Sequence, residues 1–205
     1  MRLAACIAAA LVAATPGTLA RAAPPRECAA VPRPSADDLR PWTKAGPYAP
    51  GLKSFAAGRE AVAAVALRTA WGKVRADLAT AFATDQCREG AIKSTLARRV
   101  FAAPPLAVPG EDRFLPPRPI ALVVALGLCA EGDLDATAAW LVDTTAADDA
   151  TTRGPAAMLW AASGRVDAAR ALIPPNGNGP AWDDARKAVQ AASRPQGTTT
   201  QEGSR

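Results

Sequence analysis

RPIALVVALGLCAEGDLDATAAWLVDTTAADDATTRGPAAMLWAASGRVDAARALIPP, residues 118–175, is the stretch whose reading decides the fold. Its apolar residues come in long runs broken by Gly132 and Gly164 and by short acidic or threonine-rich punctuation. Neither the alternation nor the β-branched density of a strand is present. The spacing predicts short helices over about 118–131, 133–143, 149–163 and 165–173. PPNGNGP at 174–180 reads as a turn, and Pro180 opens a last helix, 180–192, from a position in its first turn. A shift of 32 residues lays Gly132-Asp133-Leu134-Asp135-Ala136 on Gly164-Arg165-Val166-Asp167-Ala168. The same shift lays Ala125 on Ala157, Leu128 on Trp160 and Trp140-Leu141 on Leu172-Ile173. In this reading a glycine ends one helix and a hydrophobe-Asp-Ala starts the next. Small Ala125 and Ala157 let paired helices approach closely, and Leu141 and Ile173 are expected to be buried.

Upstream, 52–84 carries a second helical signal. Ala63, Ala64, Leu67, Trp71, Val74, Leu78 and Phe82 fall within a narrow arc at 100° per residue. Gly72 lies away from that stripe, so it weakens the helix without opening the core. A further helix is expected over 86–102 on the stripe Ile92, Leu96 and Val100, followed by a Pro-rich connection, 103–119. Residues 23–51 hold prolines at 24, 25, 32, 34, 41, 47 and 50 and are expected to form an extended arm. The fold class expected is therefore all-α. A helical bundle or short array of α-hairpins carries a Pro-rich N-terminal arm. The single helical domain runs over 52–192, with long helices at 52–102 and hairpins at 118–192, and a disordered tail follows at 193–205.

Of the 205 residues, 49% are hydrophobic, but 52 are alanines, so about half of the apolar set can fill a core. Histidine is absent, which excludes Ser-His-Asp and Cys-His catalysis and HExxH zinc sites. The first residues join a basic Arg2, an apolar run over 3–14 and small-x-small sites at Ala20 and Ala22. That pattern reads as a signal peptide over 1–22, cleaved after Ala20 or Ala22, and predicts a periplasmic or secreted protein. The run over 3–14 is too short to span a bilayer as a permanent helix, and no other apolar run is long enough, so no transmembrane segment is expected. In an oxidising compartment a bridge is expected among Cys28, Cys87 and Cys129. The polar settings of Cys28 and Cys87 favour a Cys28–Cys87 bridge that staples the arm to the domain, with Cys87–Cys129 as the next choice. No CxxC spacing is present, so no metal is expected.

The hairpin signals resemble the tetratricopeptide repeat. The residues that carry the resemblance are the small Ala125 and Ala157, the Gly-x-hydrophobe-Asp turns, and Ala169 in the second unit; they lie within 118–180. Thr137 stands where the first unit would have that alanine, and the usual early tryptophan is missing. The resemblance implies stacked helical hairpins that bind another protein.

Chemical motifs are few. GPYAPGLKS at 46–54 fails as a phosphate loop, because Leu52 intrudes before Lys53 and two prolines remove backbone donors. Glu131, Asp133, Asp135, Asp143, Asp148 and Asp149 form an acidic belt without the glycine and glutamate a calcium loop requires. Trp42 and Tyr48, in the arm, are the better candidates among the tryptophans and tyrosine for a recognition surface, although docking of the arm onto its own domain is the favoured reading. Glu60 or Glu131 are candidate general acids. Residues 52–118 hold 11 basic and 6 acidic side chains, and residues 119–184 hold 3 and 9, so the two halves attract one another. No Lys/Arg-rich run supports nucleic-acid binding. The favoured function is an exported, non-catalytic helical scaffold or protein-binding module of the bacterial envelope. Its partner is a protein, or a second copy met through complementary charged faces, and the acidic belt with Trp42 and Tyr48 is the candidate surface. The alternatives are a histidine-free enzyme acting on a cell-wall or glycan substrate through a glutamate, and a helical protein that binds a small ligand. No cofactor is expected.

Overall fold

A computed structural model describes residues 23–44, 46–83 and 114–194, with side chains only to residue 80 in the second of these spans. The expected signal peptide, the helix over 86–102, Cys87 and most of the C-terminal tail lie outside the described residues. Within them all regular structure is helical and no strand is present.

The arm is where expectation and structure part. Residues 23–51 do not run extended: Arg26–Ala30 forms a 3-10 turn, Ala36–Thr43 is α1, and α2, Ala49–Ala56, begins inside the stretch. Proline position, rather than proline number, decides this. Pro50 sits in the first turn of α2, where its missing N–H has no helical partner to lose. Pro41 lies inside α1, which is only eight residues long. A capping box secures the start of α1. The Ser35 hydroxyl accepts from the Asp38 N–H at 3.2 Å, and the Ser35 N–H donates to the Asp38 carboxylate at 2.9 Å.

The long helix α3, Glu60–Ala83, buries the expected stripe as far as Leu78: Ala63, Ala64, Leu67, Trp71, Val74 and Leu78 are all inside, and the Phe82 side chain lies outside the described residues. It lies against α2 and α4 (Arg118–Ala130). In α4 the ten consecutive residues Ile120–Cys129 are buried, because α3, α5, α1 and the 3-10 turn surround it. A helix apolar on every side belongs at the centre, and α4 is the axis of the main core.

The remaining helices are α5 (Leu134–Thr144), α6 (Ala150–Ala162), α7 (Val166–Leu172) and α8 (Pro180–Ala192), within a residue or so of the bounds expected from periodicity. Each packs on its neighbour in the chain, and α8 also packs on α6. The turns after α4 and α6 close identically, 32 residues apart. Gly132 and Gly164 take φ of +85° and +87°, a region glycine enters without the Cβ penalty. The Asp133 N–H reaches back to the Leu128 carbonyl at 3.3 Å, as Arg165 does to Trp160 at 2.8 Å. Ala125, Ala157 and Leu141 are fully buried, whereas Ile173 is only half-buried. A second, smaller core of Ala157, Ala161, Ala169, Trp182, Ala185 and Val189 joins α6, α7 and α8.

The expected Cys28–Cys87 bridge is replaced. Cys28 is bonded to Cys129, 101 residues away, with Cα atoms 5.7 Å apart. The 3-10 turn that carries Cys28 docks against the C-terminal end of α4, which brings the two sulfurs together. The staple from arm to domain is retained, but its anchor is the buried thiol expected to stay free.

Candidate functional site

A cleft of about 450 Å³ opens where the N-terminal segment crosses α3 and α4. Pro24, Pro25, Val31 and Leu126 supply its apolar lining, and Arg26, Arg33 and Glu60 its charged lining. Its place follows from the docking of the 3-10 turn, which holds residues 24–33 alongside the first turn of α3 and the last of α4. Glu60 comes so close to α4 because Gly127 has no side chain: a Cβ there would fall 2.4 Å from both the Glu60 carbonyl oxygen and the Ala64 Cβ.

Within the cleft the Glu60 carboxylate is ion-paired with the Arg33 guanidinium, which also lies 5.1 Å over the Phe55 ring. Arg26 pairs with its neighbour Glu27, Nε to Oε1 at 2.9 Å. Glu60 is the one carboxylate among the lining residues. Glu131, the other candidate acid, caps the C-terminus of α4 and is exposed.

Trp42 and Tyr48, the candidate recognition residues, are instead core residues, 8% and 1% exposed. Their rings meet edge to face, with centroids 6.0 Å apart. Once the arm folds into α1 and α2, both aromatics turn inward onto the main core. The Tyr48 hydroxyl is buried with no hydrogen-bond partner among the described residues, and this burial pushes its phenol well above the ordinary range.

The acidic belt is divided. Glu131, Asp133 and Asp135 lie at one end of α5 and Asp143, Asp148 and Asp149 at the other, separated by a helix about 16 Å long. Three of the six act within the fold. Asp133 caps α5 through the Ala136 N–H at 2.9 Å. Asp135 pairs with Arg165 at 2.9 Å, tying the two hairpin turns together. Asp149 caps α6 and pairs with Arg118 at 3.0 Å. Glu131, Asp143 and Asp148 are exposed and have no ion-pair or side-chain hydrogen-bond partner among the described residues.

Sequence reading missed the polar core of the α5–α6 turn. Thr145 and Thr152 are buried and joined through their hydroxyls at 3.0 Å. Buried Arg153 donates to the carbonyls of Thr145 and Ala146 at 3.0 and 3.2 Å. The run Thr151-Thr152-Arg153 looks like solvated punctuation, because nothing local shows that its side chains face backbone carbonyls.

Asp149 gives this turn a pH signature. Burial raises its carboxyl pKa, but hydrogen bonds from Thr151 and Arg118 and the Arg118 charge outweigh that, so the net position is below the ordinary value. The stabilisation is therefore full above the unfolded value of about 3.9 and is lost as pH falls through the lower folded value. Asp149→Ala should cost about 1–2 kcal/mol at pH 7 through the lost cap and pair. The gap from wild type should narrow in urea melts near pH 2, and an equal gap at both pH values would contradict the assignment.

Comparison with protein-family models, with curated proteins and with solved structures finds no match to this chain.

Proposed function

We propose that this chain is an exported, non-catalytic helical scaffold of the bacterial envelope. In this reading it holds a protein partner with a basic surface through the exposed acids of its hairpin array. The observation that carries the reading is the division of labour among the six belt residues. Asp133, Asp135 and Asp149 serve caps and internal pairs. Glu131, Asp143 and Asp148 stay exposed at the two ends of α5, without a pair among the described residues. The turns at Gly132 and Gly164, 32 residues apart and closed by the same kind of backbone hydrogen bond, add support, because repeated helical hairpins would be joined in this way. A glutamate-based enzyme draws less support. Among the described residues that line the cleft, Glu60 is the one carboxylate.

The test is capture from the envelope fraction with the wild-type chain and with Glu131→Lys/Asp143→Lys/Asp148→Lys. Partner binding should fall at least tenfold in the triple variant, a loss of about 1.4 kcal/mol, and weaken as salt rises. The melting temperature should stay nearly unchanged, since none of the three substitutions removes a contact. A triple variant that retains the same partner at the same affinity would end the reading. Recovery of only the chain itself would narrow the partner to a second copy.

A further inference from the structure

The two sulfurs of the bridge are not equivalent. Cys28 is half-buried and lines the cleft, whereas Cys129 lies beneath it with no exposed surface. Of the two cysteines, only Cys28 offers a partly exposed approach to the bridge from the cleft. The charged lining is unequal as well. The side chains of Arg26 and Arg33 are 94% and 60% exposed, and those of their partners Glu27 and Glu60 are 29% and 23% exposed. The cations thus face outward and the acids are tucked behind them. Such surface pairs are weak, so an incoming carboxylate can take over either guanidinium, whose planar fork suits it.

We propose that the cleft is a thiol-exchange site for a small carboxylate-bearing thiol, with Cys28 as the attacked sulfur and Cys129 as the leaving and resolving sulfur. The incoming thiolate forms a bond to Cys28 Sγ along the open side of the cleft. The Cys28–Cys129 bond breaks, and Cys129 leaves with the electron pair and takes up a proton. The products are a mixed disulfide on Cys28 and a thiol at Cys129. Attack by Cys129 on Cys28 reverses the step and expels the small thiol. Attack by a second small thiol on the sulfur of the first instead releases the small disulfide and leaves two protein thiols. Two small thiols are oxidised and one bridge is reduced, so electrons and protons balance. A volume of about 450 Å³ is within the range of small-molecule sites.

The experiment uses the oxidised full chain carrying Cys6→Ser/Cys87→Ser, so that Cys28 and Cys129 are its only cysteines and no further thiol shuffles. Reduced glutathione and its diethyl ester are the probes, compared at equal thiolate concentration. Reactions are quenched in acid, alkylated and mapped by peptide mass. The adduct should form on Cys28, with Cys129 alkylated. Glutathione should react roughly three to ten times faster than the ester, the span expected of one added polar contact. Arg26→Gln/Arg33→Gln, checked for helicity by circular dichroism, should bring the two rates together. An adduct on Cys129 would overturn the proposal. So would equal rates of the two probes on the parent protein, or a bridge that reacts only in proportion to the unfolded fraction. The adduct position and the probe ratio decide the matter even if the double arginine variant fails to fold. Neither depends on the acidic surface of the scaffold reading.

Discussion

Gly127→Ala should lower the stability of this protein by about 2–3 kcal/mol, although alanine is the better helix former. The propensity term favours the substitution by roughly 0.5–1 kcal/mol. Against it stands a collision. The added Cβ would lie 2.4 Å from the Ala64 Cβ, 2.4 Å from the Glu60 carbonyl oxygen and 3.0 Å from the Glu60 carbonyl carbon. Two of those atoms are backbone, so no rotamer change relieves the contact. α3 and α4 must separate, and Ala63, Ala64 and Leu67, all within 1% of full burial, must separate with them. Gly72→Ala on the facing helix α3 is the control. Nothing lies within 4 Å of a Cβ at that position, so the propensity term acts alone and the variant should gain about 0.5–1 kcal/mol. Urea midpoints of the two variants should move in opposite directions. A shift of the same sign in both would mean that the α3–α4 crossing is looser than described.

Removing the bridge should have a larger effect. Cys28–Cys129 closes a loop with a sequence separation of 101. Chain-entropy arguments give about 4–5 kcal/mol for a loop of that size, and measured losses of native bridges run at about 2–5 kcal/mol. Cys28→Ala/Cys129→Ala should therefore unfold at a much lower urea concentration than the oxidised protein. It should match the reduced wild type to within the value of two buried sulfur contacts. Cys87→Ser should leave the midpoint in place and retain one bridge on non-reducing peptide maps. Loss of the bridge in Cys87→Ser would restore the pairing expected from sequence and remove the thiol-exchange site with it.

The helices of the C-terminal half were legible because their signals are local. Asp133 and Asp149 cap α5 and α6 through N–H groups two or three residues on, and Gly132 and Gly164 end α4 and α6 by turns closed within six residues. The stripe of α3 was legible for the same reason: a period of 3.6 shows in any window of two or three turns. The arm departs from the extended form expected of it because the position of each proline, not their number, decides whether a helix forms. The tolerance of proline in α1 and α2 depends on where each helix starts: Ser35-x-x-Asp38 is a local capping signal for α1, whereas Tyr48, before α2, makes no side-chain cap and marks no start.

Of the candidate site, the sequence showed the residue types and not their company. Glu60 was visible as an acid, but its pairing with Arg33 crosses 27 positions. The acidic belt was visible as a run of carboxylates. Its division into caps, an inter-turn pair and free side chains needed Arg118 and Arg165 to be brought in from 31 and 30 residues away. By itself, then, the sequence determined that the chain is helical, where the five helices of 118–192 lie and which side of α3 is buried. These properties depend on neighbours within a turn or two. Only the tertiary structure decided that Cys28 takes Cys129, that Trp42 and Tyr48 turn inward and that Gly127 admits α3 to the central helix. Each is a contact between distant segments, chosen by which surfaces exclude water together, and no local pattern of side chains encodes that choice.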